Sequence, residues 1–498
     1  MKKLLEIECF GGIDADSDDI LIRCFEDHEA FKALLELKNF LIVGRKGSGK
    51  TSIFKKLLLN RTYDFFCFGH TFTDYPWEYH DRQVKLGIPD QDKFTHSWKY
   101  FVLLTLSKIV LNQDQSLPYD EESLKQQAKI EQFVIDTYGT RDPDVTQIFS
   151  PTKVLRLKPH IDFDFKLLKA GISPEQVPME ELPTIIQEVN QNLTTAVLSC
   201  LNPAHKYYVC FDQLDLGFDP GSPDYMNRLI GLLLAARDIN LKAKEIGKKL
   251  LVVIFLRNDI YDNLHFEDKN KITENHLSTI EWDTQTTSKT LKGLMEKRFA
   301  LLLGEGENVN WDEVFDETKE MTGHQSKYQH ILDRTYLRPR DIIKFCNQVL
   351  VEYKNRLKSE PDSNLKFDNA DLIKAKTSYS DYFLRELDDE IHKHLPKYED
   401  YLEIFKGIGV MQFDKAEFIR IFDAKKDFFP GKNPMEILKE LFSFSVIGFY
   451  RAGGGGFGGS EYVFKYKEGR ARFDETAEKF KLHPGLMDVL GLKKFSRA

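Results

Sequence analysis

The stretch Asn39-Phe40-Leu41-Ile42-Val43-Gly44-Arg45-Lys46-Gly47-Ser48-Gly49-Lys50-Thr51 decides the fold. It opens as a short apolar run of strand length. Gly44 begins a Gly-rich turn, and from Thr51 to Leu59 a helical pattern resumes. The order is strand, loop, helix. Gly44 to Thr51 matches G-x-x-x-x-G-K-[ST], and the pattern means most in this strand–loop–helix setting.

The glycines let the backbone turn so that its N–H groups converge on one cavity, which suits phosphate oxygens. The following helix aims its positive N-terminus at the same place. This predicts that Gly44, Arg45, Lys46, Gly47, Ser48, Gly49, Lys50, Thr51 and Ser52 bind ATP. Lys50 is expected to meet the β- and γ-phosphates, and the Thr51 hydroxyl to ligate Mg²⁺.

Phosphoryl transfer also needs a carboxylate for the metal and a group that orients water. Tyr207-Tyr208-Val209-Cys210-Phe211 reads as a buried strand that ends in Asp212, the expected second Mg²⁺ ligand. Asp215, three residues on, is the candidate water-activating base; its plainer role is to cap the following turn. A further strand, Leu250 to Leu256, ends in Arg257-Asn258-Asp259. Arg257 or Asn258 is expected to contact the γ-phosphate, with a strand-end salt bridge as the alternative. Thr335-Tyr336-Leu337-Arg338-Pro339-Arg340-Asp341 opens another helix, and Pro339 suits its first turn. From there Arg340 is expected to swing onto the nucleotide, or else to pair with Asp341 or a neighbour.

Strands alternating with helices predict an α/β fold, a P-loop NTPase core with a parallel sheet. The 498 residues suit two to four domains. We expect an ATPase core over 1–285 with an insertion at about 76–200, a helical lid over 286–394 and a C-terminal domain over 395–498. Residues 14–38 carry apolar residues near helical spacing. Helical signals also appear at Trp98 to Leu111 and Glu180 to Leu201, with a polar, Pro-containing stretch over 142–179 between them. In the C-terminal region three short helical patterns lead into two alternating strands around the tract Gly453 to Gly459, the outline of a winged helix.

Apolar residues make up 42% of the chain and charged residues 30%, with a formal net charge of -8. That balance excludes a basic nucleic-acid coat protein and leaves only local patches for such contacts. The six cysteines form no C-x-x-C pair, which argues against a zinc ribbon or redox motif and for buried thiols in a reducing compartment. No apolar run is long enough to span a bilayer, and the N-terminus turns acidic too soon for a signal peptide. The expected location is cytoplasmic, with no membrane partner. His483 reads as structural, and Trp77 as a core residue.

Taken in order, GRKGSGKT, FDQLD, the strand ending in RND, TYLRPRDIIKF and the terminal winged helix resemble bacterial P-loop ATPases of the AAA+/STAND type, both KAP-like and origin-recognition-like. The segment Phe10-Gly11-Gly12-Ile13-Asp14-Ala15-Asp16 resembles the stretch that closes over adenine in those proteins. The resemblance implies a nucleotide-dependent switch, with Asn258 or Arg257 as sensor 1 and Arg340 as sensor 2. It also implies a homo-oligomer or a partner effector protein, and a place in a defence or signalling complex. Gln213 stands where AAA+ proteins carry a catalytic Glu, and Arg298 is the candidate arginine finger. Two other readings remain beside the switch: a winged-helix DNA-binding protein under ATP control, and a nucleotide-holding scaffold without turnover.

Overall fold

The computed structural model describes residues 4–60, 62–72, 94–144, 148, 182–216, 222–284, 287–453 and 459–494. Most of 142–179, Trp77 and the centre of the glycine tract lie outside these. The chain divides into two compact units. One comprises Asp27–Arg45 and Lys50–Ile280; the other comprises Met1–Glu26, Lys46–Gly49 and Glu281–Ala498. Residues 4–26 fall in the same unit as the C-terminal half.

The first unit is built on a five-stranded, all-parallel sheet. Its strands are β1 (Leu41–Gly44), β2 (Phe65–Thr71), β3 (Lys206–Asp212), β4 (Lys249–Arg257) and β5 (Leu277–Thr279), in the order β2-β3-β4-β1-β5. The middle of β3 and β4 is buried residue after residue. Helices cover both faces, so apolar side chains are needed on both. Phe211 and its neighbour on β2, His70, meet Phe101 of helix Thr95–Asn112. Phe255 meets Phe54 of helix Lys50–Leu58. Burial pushes the His70 pKa down to about 3, and its Nε2 lies 3.0 Å from the Thr105 hydroxyl. This histidine is a neutral core residue.

From β1 the chain leaves toward β2, returns through β3 and β4, and then passes β1 to reach β5. The direction of travel reverses between β1 and β4, and open α/β sheets bind ligands at the carboxyl ends of strands at such a point. The loop after β1 and Arg257-Asn258 after β4 flank it.

Helix Glu121–Tyr138 has no counterpart in the sequence expectation. Asp120 and Ser123 close a capping box at its start, and Gly139 ends it in the left-handed region. Residues 14–38 differ in the other direction, since only Glu29–Leu35 is helical. Asp14 accepts from the backbone N–H groups of Asp16 and Ser17, and Asp18 from that of Gly12. Short acidic side chains here offer the backbone turns in place of helix.

The second unit contains helices Leu291–Leu303, Pro339–Ser359 and Asn369–Ile391, then Tyr398–Ile408, Lys415–Ala424 and Pro434–Ser443. Its antiparallel sheet joins β6 (Gln412–Asp414), β7 (Ile447–Arg451), β8 (Glu461–Val463) and β9 (Lys479–Leu482) in the order β6-β9-β7-β8. The expected hairpin is the β7–β8 pair. His483 is buried and stacks on Phe383. Cys24, Cys200, Cys210 and Cys346 are buried free thiols, while Cys9 is exposed.

Candidate functional site

At the carboxyl edge of the parallel sheet, three segments bring charged groups together. Lys50 begins the helix after β1 and donates from Nζ to the carbonyls of Gly44 at 2.8 Å and Arg45 at 3.0 Å. Burial pulls its pKa down to about 8, against the pull of Asp215 and Asp212. Asp212 ends β3 and is 2% exposed. Burial pushes its pKa up to about 6, opposed by hydrogen bonds from the Thr51 hydroxyl and the Gln213 backbone and by the charge of Lys50. The structure thus brings Lys50, Thr51, Asp212 and Asp215 together.

Gln213 takes a φ of 60°, a left-handed conformation uncommon outside glycine. The turn it makes carries Asp215 away from the strand rather than into a helix. Asp215 Oδ2 lies 3.5 Å from Arg257 Nη1, and Arg257 also grips Asp259 through Nε at 3.0 Å and Nη2 at 2.7 Å. Arg257 therefore makes the strand-end salt bridge. Asn258 begins the next helix, and its Oδ1 is buried without a hydrogen-bond partner among the described residues. Asp212 Oδ2 is in the same condition.

These acceptors test the fit of a divalent cation. The Asp212 oxygen, without a donor among the described residues and on a carboxylate that the Thr51 hydroxyl reaches, suits an ion that prefers oxygen ligands. Among the described residues no group of three or more His, Cys, Asp or Glu could hold a metal by itself. That is compatible with Mg²⁺, which takes one or two carboxylates and completes its shell with water and phosphate.

The middle of the loop, Lys46–Gly49, is held within the second unit. Gly47 has a φ of 76° and Gly49 of 110°. A Cβ on Gly47 would lie 2.9 Å from the Arg340 Cβ, so backbone and arginine approach closely there. Trp282 Nε1 donates to the Ser48 carbonyl at 3.0 Å. Lys46 pairs with Asp389 at 2.5 Å.

Arg340 begins its helix just after Pro339, as expected. Its guanidinium pairs with Glu386 at 3.0 Å and donates to the Ile13 carbonyl at 3.1 Å. The partner is thus a neighbour 46 residues away and not Asp341. Arg338 is the residue that sequence reasoning missed. It is 1% exposed, donates to the Lys46 carbonyl at 2.8 Å, and pairs with Asp341 at 2.8 Å and with Glu390. Burial opposes its charge, but Asp341 and Glu390 outweigh burial and hold its pKa well above the usual value. The one local signal was a pair of arginines flanking Pro339.

The segment Phe10–Asp16 is tied down by the same helix. Asn347 accepts from the Phe10 N–H at 2.8 Å and donates to the Gly11 carbonyl at 3.0 Å. Arg298 is 2% exposed, donates to the Phe10 carbonyl at 2.8 Å and pairs with Asp18 at 2.6 Å. A guanidinium so enclosed braces its own chain. A 720 Å³ cavity in the same unit is lined by residues such as Asp283, Gln329, Arg451 and Lys467, and by no residue of the Gly44–Thr51 loop.

Residues 289–388 match the family described as FunZ-associated C-terminal helical domain. No curated protein matches the chain. Among solved structures, the chain is similar to the Aeropyrum pernix ORC1 protein in complex with DNA. That likeness has 12% identity and a TM-score of 0.29, over 90% of this chain and 88% of the other. At that score it carries no functional argument. Among the described residues no helix is long and apolar enough to cross a membrane.

Proposed function

We propose that the chain binds ATP with Mg²⁺ at Gly44–Thr51 and hydrolyses it, acting as a nucleotide-dependent switch. One observation carries this reading. Lys50, Asp212 and Asp215 interact at the carboxyl edge of the sheet, while Asp212 Oδ2, and Asn258 Oδ1 at the end of β4, are buried without partners among the described residues. A buried polar atom without a partner is costly, and a ligand is the simplest explanation of two at the ends of adjacent strands.

In this reading Lys50 meets the β- and γ-phosphates, and Thr51 and Asp212 hold the ion. Bound there, Mg²⁺ neutralises phosphate charge. Asn258 is the better γ-phosphate contact, because the Arg257 fork is already engaged by Asp259 and Asp215. Asp215 orients the attacking water, with Arg257 holding its carboxylate in place. Arg338 and Arg340 act as positioning residues for the Lys46 and Gly47 backbone.

We also read 286–394 as a helical lid and 395–498 as a winged-helix module that contacts a partner protein. The helices and hairpin of the second unit support the latter. Arg451, at the end of the hairpin strand, is bound by Glu461 and Glu468. Its charge is therefore not free for a DNA backbone, which disfavours the DNA-binding reading. The place in a defence or signalling complex rests on the resemblance of the motifs.

Phosphate release from ATP with Mg²⁺ tests the enzyme. Wild type should turn over slowly, Lys50→Ala should not turn over, and Asp215→Asn should keep binding but lose about two to three powers of ten in rate. A wild-type chain that fails to bind ATP overturns the proposal. Binding without turnover selects the scaffold instead.

A further inference from the structure

The 720 Å³ cavity in the second unit has the volume of a small-ligand site. Its walls come from residues 281–284, from the end of helix Lys327–Leu332 with Leu337 beyond it, and from the hairpin strands with residues 467–471. A Cβ on Gly469 would stand 3.7 Å from Glu281 Oε1, so the first and third walls meet there.

Several charges on these walls already have partners. Glu461 and Glu468 hold Arg451, and Lys467 pairs with Asp333 at 3.6 Å. Asp283 differs. It is half-buried, accepts from the Leu291 N–H at 2.7 Å and from the Tyr328 hydroxyl at 2.8 Å, and pairs with no cation among the described residues. Leu332 and Leu337 add apolar surface to the same cavity. A half-buried carboxylate without a cation, together with leucines, suits a group that is apolar along its stem and positive at its tip. In a protein that is a lysine or arginine side chain, and the flat fork of arginine matches a carboxylate best. Arg470, exposed and in no ion pair among the described residues, also lines the cavity. It repels a polycation and favours a chain whose next charge is acidic.

Two of the walls lie one residue away from groups that hold the phosphate loop. Trp282, between Glu281 and Asp283, is 5% exposed and donates to the Ser48 carbonyl at 3.0 Å. Arg338, next to Leu337, donates to the Lys46 carbonyl at 2.8 Å. Leu337 has a φ of 53°, a strained backbone for a bulky residue, and such strain gathers at ligand clamps and switches. We propose that this cavity takes an arginine side chain of a partner protein, from a segment with an acidic residue beside it, and that its occupancy shifts ATP affinity through Trp282 and Arg338. The second half rests on the reading of Gly44–Thr51 as an ATP site.

The test titrates the full chain, without nucleotide, with the capped peptide acetyl-Leu-Arg-Glu-amide by calorimetry. The peptide should bind, and its counterpart with glutamine for arginine should bind at least about tenfold more weakly. Asp283→Asn keeps an acceptor for the Leu291 N–H but removes the charge, and should weaken binding at least about tenfold. Leu337→Gly suits the left-handed backbone and should also weaken binding, so it carries the comparison if Asp283→Asn does not fold. No binding at about 1 mM peptide, equal binding of the two peptides, or tighter binding of spermidine overturns the site. ATP affinity with and without saturating peptide tests the coupling and should differ at least about fivefold. Trp282→Phe should bind the peptide as wild type does but show a smaller difference. An ATP affinity that the peptide leaves unchanged overturns the coupling. A chain that binds the peptide but not ATP overturns the ATP reading and leaves the cavity site standing.

Discussion

Two groups of buried charges, one in each unit, are built on opposite plans. Around Lys50 and Asp212, burial wins: the lysine falls to about 8 and the aspartate rises to about 6, both toward their neutral forms. Around Arg338, pairing wins: Asp341 and Glu390 overcome burial and hold the guanidinium charged. Among the described residues the first group keeps an acceptor atom without a donor, on Asp212, and Asn258 at the end of β4 keeps another. The second spends its arginine on two carboxylates and the Lys46 carbonyl. Incomplete pairing suits a place where a ligand completes the set, and dense pairing suits architecture. Arg298 with Asp18 follows the second plan.

The largest expected effect tests the paired group. Arg338→Ala leaves Asp341 and Glu390 buried without their cation, which should cost about 3–5 kcal/mol of stability. Denaturant unfolding measures it, and a loss below about 1 kcal/mol would erase the contrast. Next comes the ligand group. Lys50→Ala should lower ATP affinity at least about 100-fold, or about 2.8 kcal/mol, with unfolding little changed. Calorimetric titration reads the affinity, and wild-type binding by this variant would remove the phosphate site.

A third effect, about tenfold per pH unit, comes from titration. Asp212 must be ionised to take Mg²⁺, so with its pKa raised to about 6 a proton competes with the ion below that pH. Lys50 must be charged to meet phosphate, so with its pKa lowered to about 8 binding weakens above that pH. Mg²⁺-dependent ATP affinity should therefore be highest between about pH 6 and 8. In Asp212→Asn the acid limb should vanish while the alkaline limb remains. An unchanged acid limb would assign it to another group. The smallest effect is Arg340→Ala, about 1 kcal/mol or less, because its pair with Glu386 is less enclosed than that of Arg338. A loss as large as that of Arg338→Ala would put both arginines in one network.

The sequence by itself determined the strands that carry the site. Parallel strands buried on both faces read as unbroken apolar runs, as Tyr207–Phe211 and Leu250–Leu256 do. The left-handed backbone at Gly47 and Gly49 was legible too, since the motif places glycine where φ is positive. Local patterns misled at residues 14–28, where side-chain-to-backbone bonds from Asp14 and Asp18 replaced the helix that apolar spacing suggested.

Only the tertiary structure decided which charges pair. The partners of Arg338 lie 3, 52 and 292 residues away, and Arg340 meets Glu386 across 46. Arg257 took the salt bridge, while Asn258 Oδ1, adjacent in sequence, has no partner among the described residues. Backbone conformation answers to neighbours a few residues away, so its periodicity is written locally. Electrostatic pairing answers to distance and burial, which exist only after distant segments have packed.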